Sequence, residues 1–247
     1  MIFRRTTVGL VCTWFFLVGL AWGDEPKVDV GSIIERARAA IASEEVLNEL
    51  DSLYFEGVLE LYQNNIRGAV RVFLQKPAFQ RIEVETEAFL KVTIIGEDLG
   101  WEILTNKQAE DAVPKRRLLT PEEYWENRYN AVENLYFYHG YKRERGQLVF
   151  LEQTFLEGIE VDVFQVTFDQ KNIHQRMISV DTGELVASKA PDGTLVFARE
   201  RETIDGIKLP KEVEYYSDGK RVSRVRFNKI EVNPWLDSAL FRVPVFR

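Results

Sequence analysis

The chain has 247 residues, a net charge of −7, two His, one Cys and an aromatic content of 12%. That acidic balance argues against nucleic acid, which needs a basic stripe to displace counterions, and against resting on an anionic membrane surface. Two His and one Cys offer no His-x-x-x-His or Cys pair for zinc, while a chain of this length can bury about 70% of its unfolded surface and so does not need disulfides.

The N-terminus reads as a secretory signal peptide over residues 1–23. Arg4 and Arg5 precede an apolar run from Val8 to Leu20, and Ala21-Trp22-Gly23 is a small-x-small cleavage site before Asp24. Cys12 lies inside the apolar run, after Gly9-Leu10-Val11, a poor lipidation sequence. Cleavage leaves 24–247 as one exported, periplasmic domain without a thiol.

The mature chain opens with an amphipathic helix. Val30, Ile33, Ile34, Ala37, Ile41, Leu47 and Leu50 recur at helical spacing, Ser32 and Glu35 form a capping box, and a weak point falls near Ser43. Strands follow with period two. Ile66, Gly68, Val70, Val72 and Leu74 share one face, Ile82 and Val84 continue beyond Lys76-Pro77, and Leu90, Val92 and Ile94 alternate with Lys91 and Thr93. Glu83, Glu85 and Glu87 also share a face; a solvated strand face explains them without acid–base chemistry.

A second helix starts at Thr120 as N-cap, with Pro121 first and Glu122 and Glu123 in the opening turn. Its apolar stripe is Trp125, Tyr129, Val132 and Tyr136, and Gly140 is its expected stop. Strands are then expected at 148–156, 160–169, 173–180, 184–189, 194–203, 211–216 and 220–232. Turns fall at Glu157-Gly158, 169–172, Thr182-Gly183, Asp192-Gly193, Asp205-Gly206 and Asp218-Gly219. The fold class is α+β, mainly antiparallel β: a strongly curved half-barrel sheet of about ten strands with helices covering its concave face.

Catalytic signatures are missing. No Ser sits in a Gly-x-Ser-x-Gly elbow, and no phosphate loop or Gly-x-Gly-x-x-Gly is present. His174 is expected to face solvent beside Gln175 and Arg176. The expectation is therefore a protein that is not an enzyme and uses no cofactor and no metal.

Four segments resemble the periplasmic outer-membrane lipoprotein-sorting family, the LolA/LolB-like group. They are the amphipathic helix leading into Leu53-Tyr54-Phe55-Glu56-Gly57, the run Gly68 to Arg81 with Lys76-Pro77 and Phe79, the element Val92 to Trp101, and the C-terminal stretch from Glu202 through Asn233-Pro234 to Leu240-Phe241 and Pro244. The resemblance implies a non-enzymatic carrier for lipoprotein acyl chains or phospholipid, monomeric and in transient contact with a membrane. Strand parity then nominates Val70, Val72, Leu74, Ile82, Val84, Val92 and Ile94 as the lining, with Trp125 and Tyr129 from the second helix. Where the characterised carriers hold their helical lid with an Arg before the Pro, this chain has Lys76, the candidate latch; it can donate to carbonyls but has no planar fork. The alternative is an envelope sensor or interaction module on the same fold, similar to RseB-type regulators, binding a protein partner.

Overall fold

The computed structural model describes residues 29–243 except 110, 112 and 169–172. The signal segment 1–23, Cys12, the turn expected at 169–172 and Pro244 lie outside the described residues.

The first helical pattern breaks into two. Helix α1 (Val30–Ala39) is capped by Asp29, whose carboxylate accepts from Gly31 N at 3.0 Å. The expected box is therefore not formed: Asp29 has already taken the orphan amide, and Ser32 lies inside the helix with its hydroxyl donating to the Asp29 carbonyl. Ser43 starts a new helix, α2 (Glu44–Glu49), by accepting from Val46 N.

Strands β1 (Ser52–Leu61), β2 (Ile66–Gln75), β3 (Phe79–Glu85), β4 (Phe89–Ile95), β5 (Gly100–Asn106) and β6 (Lys115–Leu118) form a meander. Helix α3 (Pro121–Tyr136) follows with a complete capping box between Thr120 and Glu123. It ends before the predicted Gly140, because Phe137 and Tyr138 turn left-handed at φ 43° and 68°. That conformation is held by Arg38, which donates to the carbonyls of Tyr136 and Phe137 at 2.6 and 2.7 Å. A short α4 (Gly140–Arg143) leads to β7 (Gln147–Leu156), β8 (Ile159–Thr167), β9 (Ile173–Ser179), β10 (Leu185–Lys189) and β11 (Leu195–Ala198).

The strand expected over 194–203 is interrupted after Ala198. Its remainder becomes β12 (Arg201–Ile204), which pairs only with β13 (Ile207–Pro210). This hairpin turns at Asp205-Gly206, both at positive φ, and leaves the main sheet. Lys208 N donates to the Ile41 carbonyl at 2.9 Å, and Ile207 and Leu209 pack with Leu50, Leu53 and Leu135. Strands β14 (Glu212–Ser217) and β15 (Lys220–Val232) complete the sheet.

The main sheet has 13 strands in the order β6-β5-β4-β3-β2-β1-β15-β14-β11-β10-β9-β8-β7. It is wider than the expected ten or so, since β5 and β6 extend the first meander and β1 joins the N-terminal half to the C-terminal one. Its concave face is plugged by α1, α3 and the β12–β13 hairpin. Ile33, Ile34 and Ala37 of α1 pack with Phe164, Val166 and Ile178, while Ala131 and Leu135 of α3 pack with Leu53, Phe55 and Leu74. On the convex face the Ser238–Phe241 turn lies against β3, with Phe241 5.6 Å from the Phe79 ring and Arg81 donating to the Leu240 carbonyl.

The junction of the two halves permits no side chain at Gly57. The β1–β15 register shifts between Glu56 and Gly57, and a Cβ there would sit 2.2 Å from the Arg226 carbonyl oxygen. Gly57→Ala is expected to cost about 3 kcal/mol of stability. Urea unfolding should show a lower midpoint at unchanged slope; an unaltered midpoint would mean the junction is looser than its geometry.

Candidate functional site

Directly opposed antiparallel residues share a face, so the strand registers decide which nominated residues meet. Leu53 opposes Leu74, which opposes Gln80; Phe55 opposes Val72, which opposes Ile82; Gly57 opposes Val70, which opposes Val84. On the other side of β1, Val225 opposes Leu59 and Phe227 opposes Gly57. The concave face of this region is thus one apolar surface crossing four strands. Helix α3 covers its lower part, where Gln80 also donates to Asn127 at 3.3 Å. Val72 packs at the margin of that contact. Higher up, Ile82 and Val84 are half-buried and belong to none of the three buried clusters.

Val92 and Ile94 are not part of this surface. The register sets Val92 against Glu83 and Ile94 against Arg81, on the opposite face, where both join Ile103 in a separate small cluster. Their own alternation is as expected; the four positions 86–89 between the paired Glu85 and Leu90 place even residues of β4 against odd residues of β3. Trp125 and Tyr129 are also elsewhere. They lie on the flank of α3 that faces the C-terminal half of the sheet, with Tyr129 stacked 4.3 Å from Phe168 and Trp125 stacked 5.6 Å from Tyr129. Trp125 keeps 39% of its surface exposed, so the aromatic file runs from solvent to the interior. The structure therefore unites Val70, Val72, Leu74, Ile82 and Val84, and separates the rest.

Lys76 stands at the rim, where β2 ends against the plug. Its ammonium donates to the Asn48 carbonyl of α2 at 3.3 Å and lies 5.2 Å from the ring centroid of Tyr136 on α3. Burial lowers its pKa, and the neighbouring Arg143 and Arg38 lower it further. Pulling α2 or α3 away from the sheet would return this ammonium to water, so the contact does not oppose displacement strongly.

Glu83 and Glu85 are held by Arg71 at 2.8 and 3.3 Å, with Arg81 on Glu83 at 2.7 Å, while Glu87 is exposed in the turn. They are partners in a convex-face ion network with Arg71 and Arg81.

The expectation for His174 is overturned. His174 is only 4% exposed, on the concave face with Arg176 and Ile178, and its Nε2 has no hydrogen-bond partner among the described residues. The Arg176 guanidinium lies 3.8 Å from the buried Glu133 of α3, whose carboxylate has the Gly140 backbone amide beside it but makes no hydrogen bond of good geometry. Burial pushes Glu133 up, against the pull of Arg176, and depresses His174 to about 4. Gly140 is required beside this group, since a Cβ would fall 2.3 Å from Glu133 Oε1. Two sequence signals pointed here: Glu133 follows Val132 on the packed side of α3, and His174 has the same parity as the buried Ile178. Among the described residues no group of His, Cys, Asp and Glu could hold a metal.

No family model matches the sequence, and no curated protein matches it. Solved structures do match. A DUF1329 family protein from Desulfovibrio piger superposes with a TM-score of 0.54 at 9% identity, over 86% of this chain and 97% of that one. A putative outer membrane lipoprotein-sorting protein domain from Vibrio parahaemolyticus gives 0.53 at 11%, over 85% and 94%. A LolA superfamily protein from Nitrosomonas europaea gives 0.51 at 10%, over 87% and 98%. The chain has the LolA-like fold.

The buried histidine makes stability depend on pH. An unfolded His takes up its proton near 6.5, the folded one only near 4, so between these values the unfolded chain binds more protons. The contribution is fully present above pH 6.5 and is lost as pH falls toward 4. Glu133 works in the opposite sense, its raised pKa costing stability as pH rises. Relative to His174→Phe, the wild type should lose on the order of 3 kcal/mol between neutral pH and the folded-state midpoint. Parallel pH profiles of urea stability for the two proteins would show that His174 is protonated where it sits.

Proposed function

We propose that the protein is an exported, non-enzymatic binding protein that shelters acyl chains, of a lipoprotein or a phospholipid, between the concave face and its plug. The observation that carries this reading is the pair Ile82 and Val84, half-buried on the concave face beyond the part that α3 covers and continuous with buried Val70 and Val225. Apolar surface gains about 25 cal/mol for each Å² withdrawn from water. An acyl chain is a cover of the right chemistry, long and without polar groups that would need partners. Displacing α3 and the hairpin would extend the surface to Leu53, Phe55 and Leu74, which they now occupy. The signal-peptide pattern supports a periplasmic site of action, the same compartment in which a lipoprotein-sorting protein would work.

A second reading, an envelope interaction module, is favoured by the sheet edge. Among the described residues strand β7 has no partner beyond β8, and it exposes Val149, Leu151 and Phe155, the last at 70%. An extended segment of another protein could add there as a further strand.

The test is native mass spectrometry of residues 24–247 purified without detergent, followed by titration with a fluorescent fatty acid. A co-purifying lipid mass and saturable uptake are expected. Ile82→Glu should abolish uptake while leaving the melting transition in place; it is preferable to Val72→Glu because Val72 packs against the α3 cluster. Full uptake by Ile82→Glu would remove the concave face from consideration. An apo mass with no uptake would favour the edge-strand reading.

A further inference from the structure

Beside Lys76, a cavity of about 410 Å³ is lined by Arg38, Lys76, Tyr136, His139, Lys142 and Arg143 among others. These residues come from α1, the end of β2, and the α3–α4 junction. Over much of the surface cations are matched: Arg71 with Glu83, Arg117 with Glu102 and Glu123, Arg199 with Glu157 and Glu214. In this cavity the matching fails. Glu44 is fully engaged by Arg38, whose Nε and Nη2 donate to its two oxygens at 2.6 and 2.7 Å. The remaining Arg38 donor is spent on the α3 carbonyls. Among the described residues no carboxylate pairs with Lys76, Lys142 or Arg143; Asp51 acts on Lys76, and Glu44 on Lys142, only from a distance.

The three free cations converge. Lys76 and Arg143 approach the same aromatic ring, with the guanidinium carbon 4.5 Å and the ammonium 5.2 Å from the Tyr136 centroid. Lys142 Nζ sits 3.1 Å from His139 Nε2. Arg143 and Arg38 both disfavour the charged form of Lys76, so the group repels itself. It does so in a molecule whose net charge is −7, where carboxylates to relieve it are abundant elsewhere.

We propose that this cavity binds a phosphate ester, with Lys76, Lys142 and Arg143 as its ligands. A tetrahedral dianion accepts from donors on several sides, as these three side chains are placed to give, whereas a single carboxylate is satisfied by one planar fork. The cavity is too large for a bare ion and leaves room along Tyr136 for the organic part of the ester. The ester's source is either a lipid headgroup or a soluble compound. The inference does not rest on the acyl-chain reading, because a soluble ester would fit the same donors.

The two histidines of the chain make the test direct. His139 borders the cavity and is faced by Arg38, Lys142 and Glu44; His174, buried in the core, is the internal control. Inorganic phosphate is titrated at constant ionic strength against chloride while both imidazole resonances are followed by NMR, and short-chain phosphatidate and the matching diacylglycerol are then titrated in turn. Phosphate is expected to shift His139 saturably, raise its titration midpoint and leave His174 unmoved. The double variant Lys142→Gln, Arg143→Gln, at two exposed positions, should bind about tenfold or more weakly, with an unchanged His174 signal reporting an intact fold. Phosphatidate binding tighter than phosphate identifies a lipid source, and equal affinity identifies a soluble ester; both support the site. A His139 response to phosphate no larger than to chloride, or wild-type affinity in the double variant, overturns it.

Discussion

A sheet of this width with an apolar concave face cannot leave that face to water, and the architecture answers that constraint. Curling brings the concave side chains toward one another, but side chains alone do not close the gap. Two helices and a hairpin that abandons the main sheet fill it. On the convex side the apolar area is smaller, and the C-terminal turn with Phe241 against Phe79, together with ion networks such as Arg71–Glu83–Arg81, suffices. The division of labour is asymmetric. The convex face is closed largely by charge and by the Ser238–Phe241 turn, and the concave face by two helices and a hairpin.

Those pieces are held by polar contacts as much as by packing. Arg38, buried to 2% exposure, joins α1 to Glu44 of α2 and to the terminal carbonyls of α3. Arg36 pairs with Asp162 of β8 at 2.5 Å, and Lys208 of the hairpin with Glu184 at 2.8 Å. Under α3, by contrast, the Glu133 carboxylate and the His174 Nε2 are buried without a hydrogen bond of good geometry among the described residues. Unsatisfied buried groups subtract from local stability. Helix α3 is thus well anchored at its two ends, through the Thr120 capping box and Arg38, and penalised in between.

Local chemistry was legible in the sequence and long-range parity was not. Asp205-Gly206 and Asp218-Gly219 are hairpin turns with positive φ at both positions, as their residue types require. Thr120 and Pro121 start α3 where they should. The helix break at Ser43 was only a weak point in the pattern, because apolar spacing runs on through Ile41 and Leu47 after the backbone has turned. Within β2 and β3 the alternation grouped Val70 through Val84 correctly. It failed at β4, where the relation of one strand's parity to the next depends on the loop between them. The hairpin's departure from the sheet was equally invisible, since a two-residue turn reads the same in either place. The cavity beside Lys76 assembles residues from α1, β2 and α4, and nothing in the local sequence of any one of them announces the others.

The pairing of β1 with β15 sets an order on folding. Leu53 lies against Val232 and Leu61 against Ser223, so the middle of the sheet is built from strands near the two ends of the domain. The strands between them can form hairpins as they appear, but the two halves cannot join until the last strand has arrived. This is a high-contact-order topology, and such topologies close slowly. An incomplete chain therefore has no central pair to lock, and the native core becomes available only when nearly the whole domain has been made.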